Sequence, residues 1–187
     1  MVIIVAGHSR SGKSTIAKRI AAEMQMNYIP FDSLISTLEN LYPEIGILHL
    51  DENRSFSKKL AGFVDEFITH ISYEEIDVVI DLYQLFPEDY ISMKNKQETE
   101  ILYIGSTHVN AEEKLVDLRR FERKKDWTRD VNDDEMKKIL EGFLAEGILM
   151  EKQCSQWGLP FVDSSHRFDE AIEESVGYLR KVIEARR

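Results

Sequence analysis

The chain has 187 residues and a single cysteine, Cys154, so no disulfide can form within it and a reducing, cytoplasmic setting is expected. It is short of positive charge, with 24 Lys and Arg against 34 Asp and Glu and a formal net charge of −10. A broad nucleic-acid surface needs a basic face, so that partner is not expected. No apolar run approaches the ~18 residues of a membrane span, which removes a membrane partner as well. His49, His70, His108 and His166 show no metal-ligand spacing with Cys154, so a zinc site is not expected. There is no internal repeat, low-complexity stretch or linker. With 43% hydrophobic residues, the length is that of one domain over 1–187 with a sizeable core, as a monomer or homodimer.

Against these absences stands one dense motif, Gly7-His8-Ser9-Arg10-Ser11-Gly12-Lys13-Ser14. It reads G-x-x-x-x-G-K-[ST], the phosphate-binding P-loop. Gly7 lets the chain turn out of a strand, and Gly12 lets backbone approach phosphates. Lys13 carries charge to the β- and γ-phosphates, and Ser14 offers a hydroxyl to Mg²⁺. The backbone from Gly7 to Thr15 forms an anion nest at a helix start, to which His8 contributes mainly its main chain. The apolar run Met1 to Ala6 supplies the strand before the loop. Ile16, Ile20 and Met24, at helical spacing, supply the helix after it. The expected ligand is Mg²⁺-ATP.

Beyond the loop, strands and helices alternate. Strands are expected at 27–31, 76–81, 100–105 and 159–163. Helices are expected at 33–41, along the stripe Phe56, Leu60, Val64, Phe67 and Ile71, from a capping box at Asn110 and Glu113 to about Lys125, at 132–157, and along Phe168, Ile172, Val176, Leu179 and Ile183. Residues 42–53, with Pro43 and Gly46, read as irregular. This alternation implies an α/β fold with a parallel sheet covered on both faces. Charged residues crowd 119–135.

With the P-loop at the N-terminus, five strands and an Arg-rich segment between the fourth and fifth, the chain resembles the nucleoside monophosphate kinase-like superfamily of P-loop kinases. Within it the chain looks most like small-molecule kinases of the shikimate, gluconate and chloramphenicol phosphotransferase type. The resemblance implies strand order 2-3-1-4-5, an acceptor-binding region in residues 32–72 and a helical lid at 119–135. It also implies ATP-dependent transfer of the γ-phosphate to a hydroxyl of a small-molecule acceptor. Adenylate kinase-like members carry an Asp-Gly-Phe-Pro-Arg stretch after the third strand. Here the chain reads Asp81-Leu82-Tyr83-Gln84-Leu85-Phe86-Pro87, and Arg54 is the only arginine between Arg19 and Arg119. A phosphate clamp normally uses Arg, so an acceptor less charged than a nucleoside monophosphate fits better.

Several residues carry two readings each. Asp32, at the end of the second strand, is a general base or acceptor ligand, or else a helix N-cap. Asp81 orients Mg²⁺ or caps a strand end. Arg119, Arg120 and Arg123, on one helix end, supply at least one arginine that neutralises the transferring phosphoryl group, or form a solvated charge run. By the resemblance, the loop Ser164 to Arg167 lies near adenine, with Arg167 stacking on the base; a plain turn is the other reading. Trp127 is expected to pack in the lid and Trp157 in the core. A nucleoside or nucleotide kinase and an ATP-binding regulatory NTPase are the rival functions. Asn95-Lys96-Gln97-Glu98 fails as a guanine-reading motif because Glu stands for Asp and the stretch precedes the fourth strand.

Overall fold

The computed structural model describes residues 1–47 and 55–187, with the side chains of residues 55 and 56 left aside. Strand β1 (Val2–Gly7) is followed by α1 (Lys13–Met24), β2 (Asn27–Pro30) and α2 (Phe31–Leu41). Then come α3 (Ser55–Tyr73), β3 (Val78–Leu82), α4 (Pro87–Ser92), β4 (Thr99–Gly105), α5 (Ala111–Phe121), α6 (Asp133–Trp157), β5 (Phe161–Asp163) and α7 (Phe168–Arg186). The five strands form one sheet in the order β2-β3-β1-β4-β5, and every pairing is parallel.

β1 is central and wholly buried, as its unbroken apolar sequence requires. Its alternate side chains serve two cores. Val2, Ile4 and Ala6 pack with Phe31, Leu60, Val64 and Ile68. Ile3 and Val5 pack with Ile16, Ile20, Val176 and Leu179. Helices therefore cover both faces. A third cluster joins Tyr83 to α5 and α6 through Leu115, Leu118, Met136 and Phe143. Among the described residues no helix is long and apolar enough to cross a membrane.

Register places the chemistry. Val5 pairs with Asp81 and Pro30 pairs with Asp81 from the other side. Gly7, Asp81 and the start of α2 thus gather at the carboxyl ends of three adjacent strands, where open α/β sheets bind ligands.

The structure departs from the sequence expectation at several points. α2 begins at Phe31, with Pro30 at its N-cap, so Asp32 lies inside the first helical turn. α5 has the expected Asn110–Glu113 capping box but stops at Phe121, short of Lys125. The cause is local: the Asp126 carboxylate takes the Arg123 N–H at 2.7 Å, a turn that competes with helix. Arg123 therefore stands outside the helix that carries Arg119 and Arg120. α4 was not expected, although Pro87 at its first position and Glu88 and Asp89 after it are start signals. Trp157 is 46% exposed and is not part of the core. The irregular stretch opens as a 3₁₀ turn over Pro43–Ile45. Residues 48–54, with His49 and Arg54, lie outside the described residues, so the expected acceptor region is described only on either side of them.

Candidate active site

The P-loop is shaped by its glycines. Gly7 has φ +155°, and a Cβ there would sit 2.0 Å from the Ile104 carbonyl oxygen. Gly12 has φ +111° and lies under Ile172 and Phe168, whose side chains a Cβ would meet at 3.0 Å. No side chain caps α1. Its first backbone bond runs from the Thr15 N–H to the Gly12 carbonyl at 3.0 Å, which leaves the amides ahead of it for an anion. Ser14 is half-buried at this opening and Thr15 is exposed.

Lys13, the first residue of α1, is buried. Its ammonium donates to Asp32 Oδ2 at 3.0 Å and lies 3.7 Å from Asp81 Oδ1. It also sits 5.8 Å from the Tyr83 ring centroid. Asp32 does not cap its own helix. Its Oδ1 accepts the Tyr83 N–H at 3.0 Å, so the carboxylate spans the end of β3 and the P-loop lysine. Asp81 is buried, and its Oδ2 accepts the Tyr28 hydroxyl at 2.8 Å. Its Oδ1 is buried without a hydrogen-bond partner. A buried carboxylate oxygen left this way is costly unless something else completes it. Burial, then the Asp81 charge, pushes the Tyr28 phenol upward, which keeps it a donor to Asp81. The Arg123 charge opposes that shift weakly, and the Arg123 side chain is exposed. The Tyr83 hydroxyl donates to Glu146 Oε2 at 3.0 Å; burial and then Glu146 push it upward too. Gln84, next in the chain, is buried with φ 68°. Such strain in a non-glycine residue is common where side chains are held for function.

His8 does more than the sequence indicated. Its ring is fully buried. Nδ1–H donates to the Ser9 carbonyl at 2.7 Å, and Nε2 accepts the Ser106 N–H at 2.7 Å. Both contacts suit one neutral tautomer. Burial lowers its pKa to about 4; the Ser9 bond opposes this, and the charges of Lys114 and Lys13 add to it. Behind the loop, the buried Lys114 donates to Ser106 Oγ at 2.8 Å, and Ser106 Oγ meets Ser164 Oγ at 3.1 Å. Ser164 Oγ in turn donates to the carbonyl oxygens of Ser11 and Gly105, each at 3.0 Å. Burial holds the Lys114 ammonium below its ordinary pKa. This brace was missed in the sequence. Its signal was a lysine inside the apolar stripe Ala111, Leu115 and Leu118. Beside it, Asp163 at the end of β5 accepts the Thr107 N–H at 3.0 Å and the Ser165 hydroxyl at 2.6 Å, tying the loops after β4 and β5 together.

The arginines divide. Arg119 bonds Asp133, Glu122 and the carbonyl oxygens of Thr128 and Val131 at 2.7–2.9 Å, so it fastens the segment that follows α5. Arg120 is exposed over the Phe121 ring at 5.3 Å. Arg167 occupies the N-cap position of α7 and pairs with Glu170 at 2.9 Å, 66% exposed. Arg10, in the P-loop, reaches Asp126 Oδ2 at 3.1 Å. Trp127 is half-exposed beside that contact.

No family model matches the sequence, and no curated protein matches it. Solved structures share the fold. A shikimate kinase from Bacteroides thetaiotaomicron superposes with a TM-score of 0.59 at 19% identity, covering 98% of each chain. A gluconokinase from Sinorhizobium meliloti gives 0.57 at 18% identity, covering 98% of this chain and 94% of its own. A dephospho-CoA kinase from Campylobacter jejuni gives 0.52 at 14% identity, covering 100% of this chain and 98% of its own. The chain has the P-loop kinase fold, at identities too low to fix a subfamily.

Proposed function

We propose that this chain, folded as P-loop kinases are, is a Mg²⁺-ATP-dependent phosphotransferase acting on a hydroxyl of a small molecule. The observation that carries the reading is the Lys13 ammonium set between Asp32 at 3.0 Å and Asp81 at 3.7 Å. A P-loop alone binds phosphate. A P-loop lysine flanked by one half-exposed carboxylate and one buried, incompletely bonded carboxylate provides groups for both halves of a transfer. The structural neighbours are kinases of small metabolites by name, which agrees with this class.

Each group has a task. Amides at the start of α1 and the Lys13 ammonium bind the β- and γ-phosphates. The Ser14 hydroxyl and Asp81 Oδ1 are the groups that would hold Mg²⁺. Among the described residues no group of three or more His, Cys, Asp or Glu could cage a metal, so phosphate oxygens and water would complete the coordination. When bound, Mg²⁺ neutralises charge on the phosphates. The nucleotide gives Lys13 a competing anion, which releases Asp32 Oδ2 toward the acceptor. The acceptor oxygen bonds to the γ-phosphorus, the bond to the β,γ-bridging oxygen breaks, ADP leaves, and the hydroxyl proton passes to Asp32. Arg123, exposed on the turn whose Asp126 is held by Arg10 of the P-loop, is the arginine we assign to the transferring group; Arg119 fastens the segment, which acts as a lid.

Thermal-shift measurement with a non-hydrolysable Mg²⁺-ATP analogue tests this first, because a ligand stabilises what it binds. The midpoint should rise with the analogue and rise further with the right hydroxyl-bearing metabolite. No shift with any nucleotide would overturn the reading.

A further inference from the structure

One P-loop side chain turns away from the phosphate nest. Arg10 adopts φ 62°, a conformation a non-glycine residue uncommonly takes and for which Asn and Asp are the enriched types. Its guanidinium spans from the loop to the segment between α5 and α6. Nη1 donates to Asp126 Oδ2 at 3.1 Å and Nη2 to Thr128 Oγ1 at 3.4 Å. Both ends are mostly shielded, at 25% and 18% side-chain exposure.

The two acceptors are hubs of the segment. Asp126 Oδ2 also takes the Arg123 N–H at 2.7 Å, and the Asp126 N–H returns to the Arg123 carbonyl at 3.1 Å. Thr128 Oγ1 donates onward to Glu122 Oε1, and the Thr128 carbonyl accepts from Arg119. A single side chain of the phosphate loop is thus hydrogen-bonded to the two residues that close the turn carrying Arg123. Although burial works against it, the Arg123 amide and then Arg10 hold the Asp126 carboxyl below its ordinary range.

We propose that Arg10 is a positioning residue: it latches Asp126 and Thr128 to the P-loop and so holds the turn that carries Arg123 against that loop. The catalytic half of this rests on the phosphotransferase reading; the mechanical half does not. The latch joins the loop that senses phosphate to the turn that carries the arginine, so movement of either is felt by the other. A strained φ gives the loop a reason to relax if the contact is lost.

Arg10→Gly separates this from a merely local role. Glycine suits φ 62°, so the variant relieves strain and should fold with an unchanged or higher thermal midpoint. If Arg10 is a latch, hydrogen exchange across residues 119–131 should nevertheless quicken by about tenfold without nucleotide, since local opening free energy sets exchange. Trp127 emission, read in a Trp157→Phe background, should shift at the same time. Asp126→Asn should loosen the segment too, and exchanging the pair (Arg10→Asp with Asp126→Arg) should restore protection in part. With an acceptor in hand, Arg10→Gly should lower kcat by about tenfold or more while the KM for ATP moves little. Wild-type exchange and emission in both Arg10→Gly and Asp126→Asn would overturn the latch. An absence of phosphoryl transfer by the wild-type protein would instead overturn the phosphotransferase reading and leave the exchange result standing.

Discussion

Lys13 Nζ and Asp32 Oδ2 lie 3.0 Å apart, and the other oxygen of the same carboxylate takes the Tyr83 N–H. Without nucleotide the P-loop lysine is thus held by the group that would receive the acceptor proton. Asp32→Asn keeps the Tyr83 bond and the shape while removing the charge and the proton acceptor. It should change stability by about 1 kcal/mol or less, since the ion pair is partly solvated. It should bind Mg²⁺-ATP at least as well as wild type and lose most transfer to the acceptor. Isothermal titration with the analogue and a transfer assay check the two halves. Full transfer by the variant would leave Asp32 as a strut only.

Asp81 differs in kind. Its Oδ1 is buried without a hydrogen bond and its Oδ2 is tied to Tyr28. Asp81→Asn should raise the Mg²⁺ concentration for half-maximal turnover by about tenfold or more, the scale seen when a metal's supporting groups are lost. Tyr28→Phe should do so more weakly. A Mg²⁺ titration of turnover in each variant reads this; unchanged curves would remove Asp81 from the metal's surroundings.

His8 makes stability depend on pH. Its folded pKa, about 4, lies below the ordinary 6.5 because burial disfavours the charged ring. Between those values the unfolded chain binds the proton and the folded chain does not. Stability from this group is therefore full above pH 6.5 and is lost as pH falls toward 4, by roughly 3 kcal/mol in all. Chemical denaturation from pH 7 to 4 should show this loss. In His8→Gln, whose amide oxygen can accept from Ser106 without titrating, the slope should flatten. Parallel slopes would contradict it.

Gly147 tests the same packing from the other side. A Cβ there would lie 2.7 Å from the His8 ring, so Gly147→Ala should destabilise by roughly 1–3 kcal/mol despite alanine's better helix propensity. A more stable variant, by thermal unfolding, would mean α6 can withdraw from the P-loop freely.

How much of this the sequence carries follows from how local each signal is. The P-loop, the strand–helix alternation and the Asn110–Glu113 box depend on neighbours in the chain, and the sheet order came with the resemblance. The ends of α2 and α5 shifted because Pro30 and Asp126, a few residues off, decided them. The partnerships of Lys13 with Asp32, His8 with Ser106 and Arg10 with Asp126 join residues 19, 98 and 116 positions apart. No periodicity encodes such pairs. Arg119 looks like Arg123 in sequence; its bonds to Glu122, Asp133 and the carbonyl oxygens of Thr128 and Val131, met in three dimensions, set it apart.

Transfer itself is the decisive reading. The protein would be incubated with Mg²⁺ and ATP labelled at the γ-phosphate, together with an extract of small hydroxylated metabolites, and the labelled products separated. Wild type should place label in a small-molecule product, Lys13→Ala should place none while remaining folded, and Asp32→Asn should place little while still binding nucleotide. Equal labelling by wild type and Lys13→Ala, or a wild-type protein that binds Mg²⁺-ATP and labels no product, would contradict a small-molecule phosphotransferase built on Lys13 and Asp32.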